Sequence, residues 1–265
     1  MTPERFTVKS DDGVDISVQK AGSGLPLLLV HGSLLNGSIS WGHLLPKFSE
    51  HFTVYAMDRR GRAPSGDAQE HSIAIEAGDI ACVVDAIGGP LTVLSHSFGA
   101  LASLGALDRL KKVSHLILYE PPVTTEGARP DSEAVLAKLD RALAAGDREQ
   151  IVTTFLMDQV GAPPDRVAGM KSLPIWPIVL EIAPTLPRES KAVNTYRVST
   201  ERLANWKTPT TMLLGSATIG LLRDAAFFVR DHIPGCRMVI LEGQGHGANL
   251  DAPDWFANKI LEIAK

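Results

Sequence analysis

Short apolar runs, each closed by a glycine, a polar loop or a proline, limit this chain to one broad architecture. "LPLLLVHG" at 25–32 is apolar at nearly every position and ends in glycine. A strand with one wet face would alternate, whereas a continuous run is buried on both faces, as in a parallel sheet covered by helices. "FTVYAMD" (52–58), "PLTVLS" (90–95) and "VSHLILYE" (113–120) repeat the pattern, the last stopped by Pro121 and Pro122. Helical spacing lies between the runs. Ile73, Ile80, Val83, Val84 and Ile87 space a helix over 72–87 that Gly88 and Gly89 close, and another is predicted from Phe98 to about Leu110. Near the start, Phe6–Ser10 and Asp15–Lys20 alternate around "DDG" and read as a hairpin.

The rhythm changes after Pro122. Residues 123–205 hold little strand signal: "SEAVLAKLDRALAAGD" and "REQIVTTFLMDQVG" read as helices, and prolines at 163, 164, 174, 177, 184 and 187 break up the remainder. Strand and helix signals return with "TTMLLG", a helix around 221–232, "RMVILEG" and a last helix from about Pro253 to Ala264. The fold class is therefore α/β, with a parallel core at 1–122 and 206–265 interrupted by a helical insertion at 123–205.

Composition removes several function classes. The 265 residues carry a net charge of −4 and no long basic run, which argues against nucleic acid as a partner. No run of about 18 apolar residues exists to span a membrane, and "MTPERFTVKSDDG" lacks the apolar core of a signal peptide, so a cytoplasmic location is expected. Cys82 and Cys236 fit no metal spacing and read as buried thiols. The histidines form no ligand set, so no metal is expected.

The chemistry concentrates in "SHSFGA" at 95–100. Ser97 stands at a strand-to-helix junction with small residues at 95, 99 and 100, as a tight turn presenting a nucleophile requires. Ser95 replaces the first glycine of the usual elbow and is still small. The simpler reading is that Ser97 caps the helix that follows. His246, among glycines 243, 245 and 247 in "GQGHG", is placed to act as a general base.

Four motifs in order, each after a predicted strand, now carry a resemblance: "HGS" (31–33), "MDRRGRAPSG" (57–66), "SHSFGA" and "GQGHG". The chain resembles the α/β-hydrolase family over essentially its whole length. The resemblance implies a mostly parallel eight-stranded sheet flanked by helices, with a helical cap inserted after the sixth strand. It implies backbone oxyanion donors at Ser33 and Phe98, and a structural role for His31. It also implies a triad acid shortly after the glycine of "TTMLLG", where this chain has Ser216, Ala217 and Thr218 instead.

Two carboxylates are candidates for that acid. Glu120 ends the sixth strand at the same sheet edge as Ser97 and keeps the chain order Ser97, Glu120, His246; some haloalkane dehalogenases and a mycotoxin lactonase of the family similarly take their acid from this strand. Asp224 lies farther along and inside the next predicted helix. Glu120 is preferred on reach. Leu34, Leu35, Trp176 and Tyr196 are expected to line the substrate pocket. The arginines of "DRRGR" (58–62) read either as an anion site or as solvated loop side chains.

The expected function is serine hydrolysis of an ester or lactone of a small to medium apolar substrate, with no cofactor and no partner beyond the substrate, a homodimer being left open. Carbon–carbon hydrolysis, cofactor-free perhydrolysis or a lyase step on the same triad is an alternative, as is a non-catalytic, receptor-like relative.

Overall fold

The computed structural model describes residues 4–124 and 132–264. The chain order is β1 (Glu4–Lys9), β2 (Asp15–Ala21), β3 (Leu25–Val30), α1 (Gly37–Trp41), α2 (Leu45–Ser49), β4 (Phe52–Met57), α3 (Ile73–Ile87), β5 (Leu91–His96), α4 (Phe98–Gly105) and β6 (Val113–Tyr119). Six helices follow: α5 (Ser132–Ala144), α6 (Arg148–Thr154), α7 (Pro164–Lys171), α8 (Trp176–Ile182), α9 (Leu186–Thr195) and α10 (Thr200–Asn205). The order closes with β7 (Thr210–Gly215), α11 (Leu221–His232), β8 (Arg237–Leu241), α12 (Ala248–Asp251) and α13 (Pro253–Ala264). Of the predicted insertion at 123–205, residues 125–131 lie outside the described residues.

The strands form one eight-stranded sheet in the order β1-β2-β4-β3-β5-β6-β7-β8. β1 and β2 pair antiparallel in the predicted hairpin, and β2 joins β4 antiparallel. From β4 to β8 every pairing is parallel. The period-two geometry of a strand explains the continuous runs. On β3, Leu28 and Val30 pack on one side with α3, α4 and α11, while Leu27 and Leu29 pack on the other with Trp41, Phe48 and Phe256. From Leu27 to Val30 both faces are dry, so none of these four positions could be polar, whereas Leu25 at the start of the strand is exposed.

A third apolar cluster belongs mostly to the helices between β6 and β7. Val135, Leu139, Ile151, Val152 and Leu186 build it, and Leu34 and Leu35 from the loop after β3 complete it. The predicted single helix over "REQIVTTFLMDQVG" is α6 followed by a wider π-type turn at Phe155–Val160, which ends at Gly161 with φ +79°. Cys82 and Cys236 are free and half-buried rather than buried. Among the described residues no helix is long and apolar enough to cross a membrane.

Candidate active site

Parallel strands bring their C-terminal ends, and the loops that leave them, to one edge of the sheet. Ser33 follows β3, Ser97 follows β5, Glu120 follows β6 and His246 follows β8. Residues far apart in the chain therefore meet by topology alone.

Ser97 sits on a sharp turn with φ +52° and ψ −121°, a conformation that costs a non-glycine residue about 1–3 kcal/mol. Packing enforces it. A Cβ on Gly99 would stand 2.5 Å from the His31 carbonyl oxygen, and one on Gly32 would stand 2.9 Å from the Ser97 Cβ. The departure at Ser95 is absorbed, because its buried hydroxyl pairs with that of Ser103 on α4 at 2.7 Å. The Ser97 side chain makes no capping bond to α4. Its backbone N–H donates to the Tyr119 carbonyl at 2.8 Å, while the side chain lines a cavity. That cavity has a volume of about 250 Å³ and is also lined by Ser33, Phe98 and His246.

Glu120 is wholly buried, with left-handed φ of +47°. Its Oε2 lies 2.6 Å from His246 Nδ1. A carboxylate only accepts, so Nδ1 carries the proton and Nε2 is left with its lone pair. Its Oε1 accepts from the Gly215 N–H and the Thr218 hydroxyl, both at 2.7 Å. The loop after β7 thus supplies two donors to a carboxylate that comes from β6. Asp224 is exposed in the first turn of α11, and the partner of His246 Nδ1 is Glu120.

The loop carrying His246 is fixed from below. The Tyr119 hydroxyl donates to the Gly245 carbonyl and accepts from the Ala248 N–H at 3.2 Å. His96 Nε2 donates to the His246 carbonyl at 2.9 Å, and its ring stacks on Tyr119 at 4.8 Å. Burial, reinforced by the nearby His246, holds His96 well below the ordinary histidine range, so it is a neutral strut. Gly215 has no room for a side chain, since a Cβ there would lie 2.4 Å from the Gln244 carbonyl oxygen. The Ala217 N–H donates to that same carbonyl at 2.9 Å.

The early loop is held by His31 and Arg59. His31 Nδ1 donates to the Gly32 carbonyl at 2.7 Å, and Nε2 accepts from the Arg59 N–H at 3.1 Å. Burial, helped by the Arg59 charge, keeps this ring neutral too. Neither reading of "DRRGR" stands: Arg59, Arg60 and Arg62 are fully buried and paired. Arg59 forks onto Glu76 with two bonds of 2.6 Å, reaches Glu189 on α9 at 2.8 Å and bonds the Gly32 carbonyl at 3.0 Å. Its guanidinium also lies 4.1 Å above the Phe98 ring. Burial alone would lower its pKa, but Glu189 and Glu76 outweigh that and raise it. Burial would likewise raise Glu76, and Arg59 and His71 overcome it and hold the carboxyl far below its usual range. His71, Glu76 and Glu189 lie close enough to ligate a cation. Arg59 and Arg62 already supply that positive charge.

The expected pocket walls are corrected. Leu34 and Leu35 do not line the cavity; left-handed φ at Leu34 (+72°) turns this segment into the helical cluster, where both are buried. Trp176 packs against the same cluster. Tyr196 lines a separate groove with His71 and Arg188. The apolar walls are instead Val123, Phe155, Val193, Ile219, Leu221 and Leu222. Three of these follow β7, where the sequence offered only a loop and a helix start. Polar residues share the wall: Glu189, Ser190 and Asn194 stand on α9, and Thr124, Asp158 and Gln159 lie on the segments before it. The spacing of the α9 residues with Val193 on one helix face was a usable signal.

Comparison with known proteins fits this architecture. The family model described as "Alpha/beta hydrolase family" matches residues 27–259. An alpha/beta hydrolase from Sphaerobacter thermophilus DSM 20745 is 36% identical with a TM-score of 0.86, over 98% of this chain and 100% of that one. An esterase from Rhodococcus sp. ECU1013 shares the fold at 21% identity and a TM-score of 0.73, over 99% and 98% of the two chains. A protein described as an N-acyl homoserine lactone degrading enzyme does so at 23% and 0.71, over 97% of this chain and 100% of that one. The chain belongs to the alpha/beta hydrolase family.

Proposed function

We propose that the protein is a serine hydrolase that cleaves an ester or lactone of a small to medium, largely apolar substrate through an acyl-enzyme. The observation that carries this reading is the 2.6 Å contact between Glu120 Oε2 and His246 Nδ1 beside the Ser97 turn. It offers a candidate acid to a chain that lacks one in the loop after β7, and so favours a catalytic reading over a non-catalytic relative.

In the proposed reaction, His246 Nε2 takes the Ser97 proton as Oγ attacks the carbonyl carbon. Glu120 holds the ring in the productive tautomer and stabilises the imidazolium. The backbone N–H groups of Ser33 and Phe98 receive the developing oxyanion. The imidazolium then protonates the leaving alcohol, and water enters by the reverse route. Val123, Phe155, Val193 and Leu221 give the cavity its apolar character. The folds shared with an esterase and a lactone-degrading enzyme agree with either carbonyl class.

The test is single-turnover acylation. A fluorophosphonate should label Ser97. Glu120→Gln keeps an acceptor for Gly215 and Thr218 but sets an amide against His246. It is expected to slow acylation by about 10⁴-fold, with Asp224→Asn close to wild type. Collapse of the Asp224 variant alone would reject Glu120 as the acid.

A further inference from the structure

We propose that this hydrolase takes substrates whose alkyl chain projects from the cavity through an apolar mouth, and that Ile219 and Val160 hold the chain there and set the preferred chain length. The inference rests on the serine-hydrolase reading and adds a specificity element to it.

The residues of the cavity wall differ in exposure. Val123 and Phe155 are buried, Leu221 and Leu222 are half-buried, and Val160 and Ile219 are exposed, at 39% and 81%. The exposed members mark where the cavity meets solvent. Among the described residues Ile219 is the most exposed large apolar side chain. One exposed apolar side chain means little by itself. Here two of them, from separate segments, belong to the wall of the cavity that holds Ser97 and His246. Val160 ends the π-type turn after α6, and Ile219 stands in the loop after β7. With Leu221 and Leu222 they carry the apolar lining out to solvent.

Size and charge specify the occupant. At about 250 Å³ the cavity falls below the range of about 300–1,000 Å³ that encloses a drug-sized ligand. A longer substrate must therefore extend through the mouth. The charged wall residue exposed there, Asp158, is paired with Lys138 at 2.8 Å, so a neutral chain fits better than a charged one. The loop bearing Ile219 is set before substrate arrives. The Ser216 and Ala217 N–H groups donate to the Leu241 and Gln244 carbonyls at 3.1 and 2.9 Å. The Ser216 hydroxyl accepts from the Gly243 N–H at 2.8 Å, and the Thr218 hydroxyl is bound to Glu120. Ile219 follows directly, so little ordering cost opposes its contact with a chain. The loop that lacks the acid implied by the resemblance thereby forms one side of the entrance.

The experiment compares matched esters below their aggregation limits: phenyl butyrate with phenyl octanoate for the acyl side, and ethyl butyrate with hexyl butyrate for the alcohol side. Each kcat/KM is corrected for the alkaline hydrolysis rate of that ester. In at least one pair the longer ester is expected to be favoured by about tenfold or more. Substitution at positions this exposed leaves folding intact. The double variant Ile219→Ser, Val160→Thr should bring that ratio below about threefold, each single change lowering it part of the way, whereas Ile219→Leu, which keeps the apolar area, should preserve it. The pair that responds assigns the chain to the acyl or the alcohol side. No preference for the longer ester in either pair overturns the inference. So does a ratio that survives the double substitution, or one lost equally in Ile219→Leu. A Ser97 that labels with fluorophosphonate in an enzyme inert to all four esters also overturns it. Failure of labelling together with failure of hydrolysis instead rejects the serine-hydrolase reading itself.

Discussion

Glu120 shows how a fully buried carboxylate is tolerated: each oxygen has its own donors. Thr218 helps to set the orientation of this carboxylate. Its hydroxyl and the Gly215 N–H hold Oε1, which leaves Oε2 to face His246. Thr218 does not line the cavity, so in the proposed mechanism it acts through Glu120 as a positioning residue. Thr218→Val keeps the shape and removes one donor. Leaving a buried acceptor short by one bond costs about 1–3 kcal/mol, and we expect single-turnover acylation to slow by about tenfold. Thr218→Ser should restore most of the rate. An unchanged Thr218→Val enzyme would show that Gly215 alone suffices.

At the scale of elements, α9 joins two functions. One face of it lines the cavity with Glu189, Ser190 and Val193, and the same Glu189 receives Arg59 and Arg62 from the loop after β4. That pairing couples the helices between β6 and β7 to the sheet. It also fixes the early loop, because Arg59 holds the Gly32 carbonyl at 3.0 Å beside Ser33. Removing one partner of a buried ion pair leaves an uncompensated charge and costs about 3–5 kcal/mol. Glu189→Gln is expected to lower the urea unfolding free energy by about 3 kcal/mol. Stability within about 0.5 kcal/mol of wild type would mean that Glu76 alone neutralises both arginines.

At the scale of the molecule, the buried histidines set a pH dependence. Burial holds His31 and His96 well below the ordinary histidine value of about 6.5. Below that value the unfolded chain takes up protons that the folded protein refuses, so stability falls as pH falls from about 7 to 5. Two such groups give a slope of at most about 2.7 kcal/mol per pH unit. Urea unfolding at pH 7, 6 and 5 measures it, and a flat profile would contradict the neutral-strut role of both rings. Much of this molecule is legible in the chain itself. The buried runs announce the parallel sheet, because a strand dry on both faces has no place for polar residues. Small residues around Ser97 announce the turn, because the backbones there approach too closely for side chains. The order of strands then places residues 33, 97, 120 and 246 along one edge. The pocket walls and the fate of the arginines were not legible. Burying Arg59 requires Glu189, 130 residues away, and no local pattern encodes such a pairing. Leu34 and Leu35 look like pocket walls until the helices arrive to cover them. Local periodicity determines which faces must be dry, whereas packing between distant segments determines what covers each face and which charges are buried together.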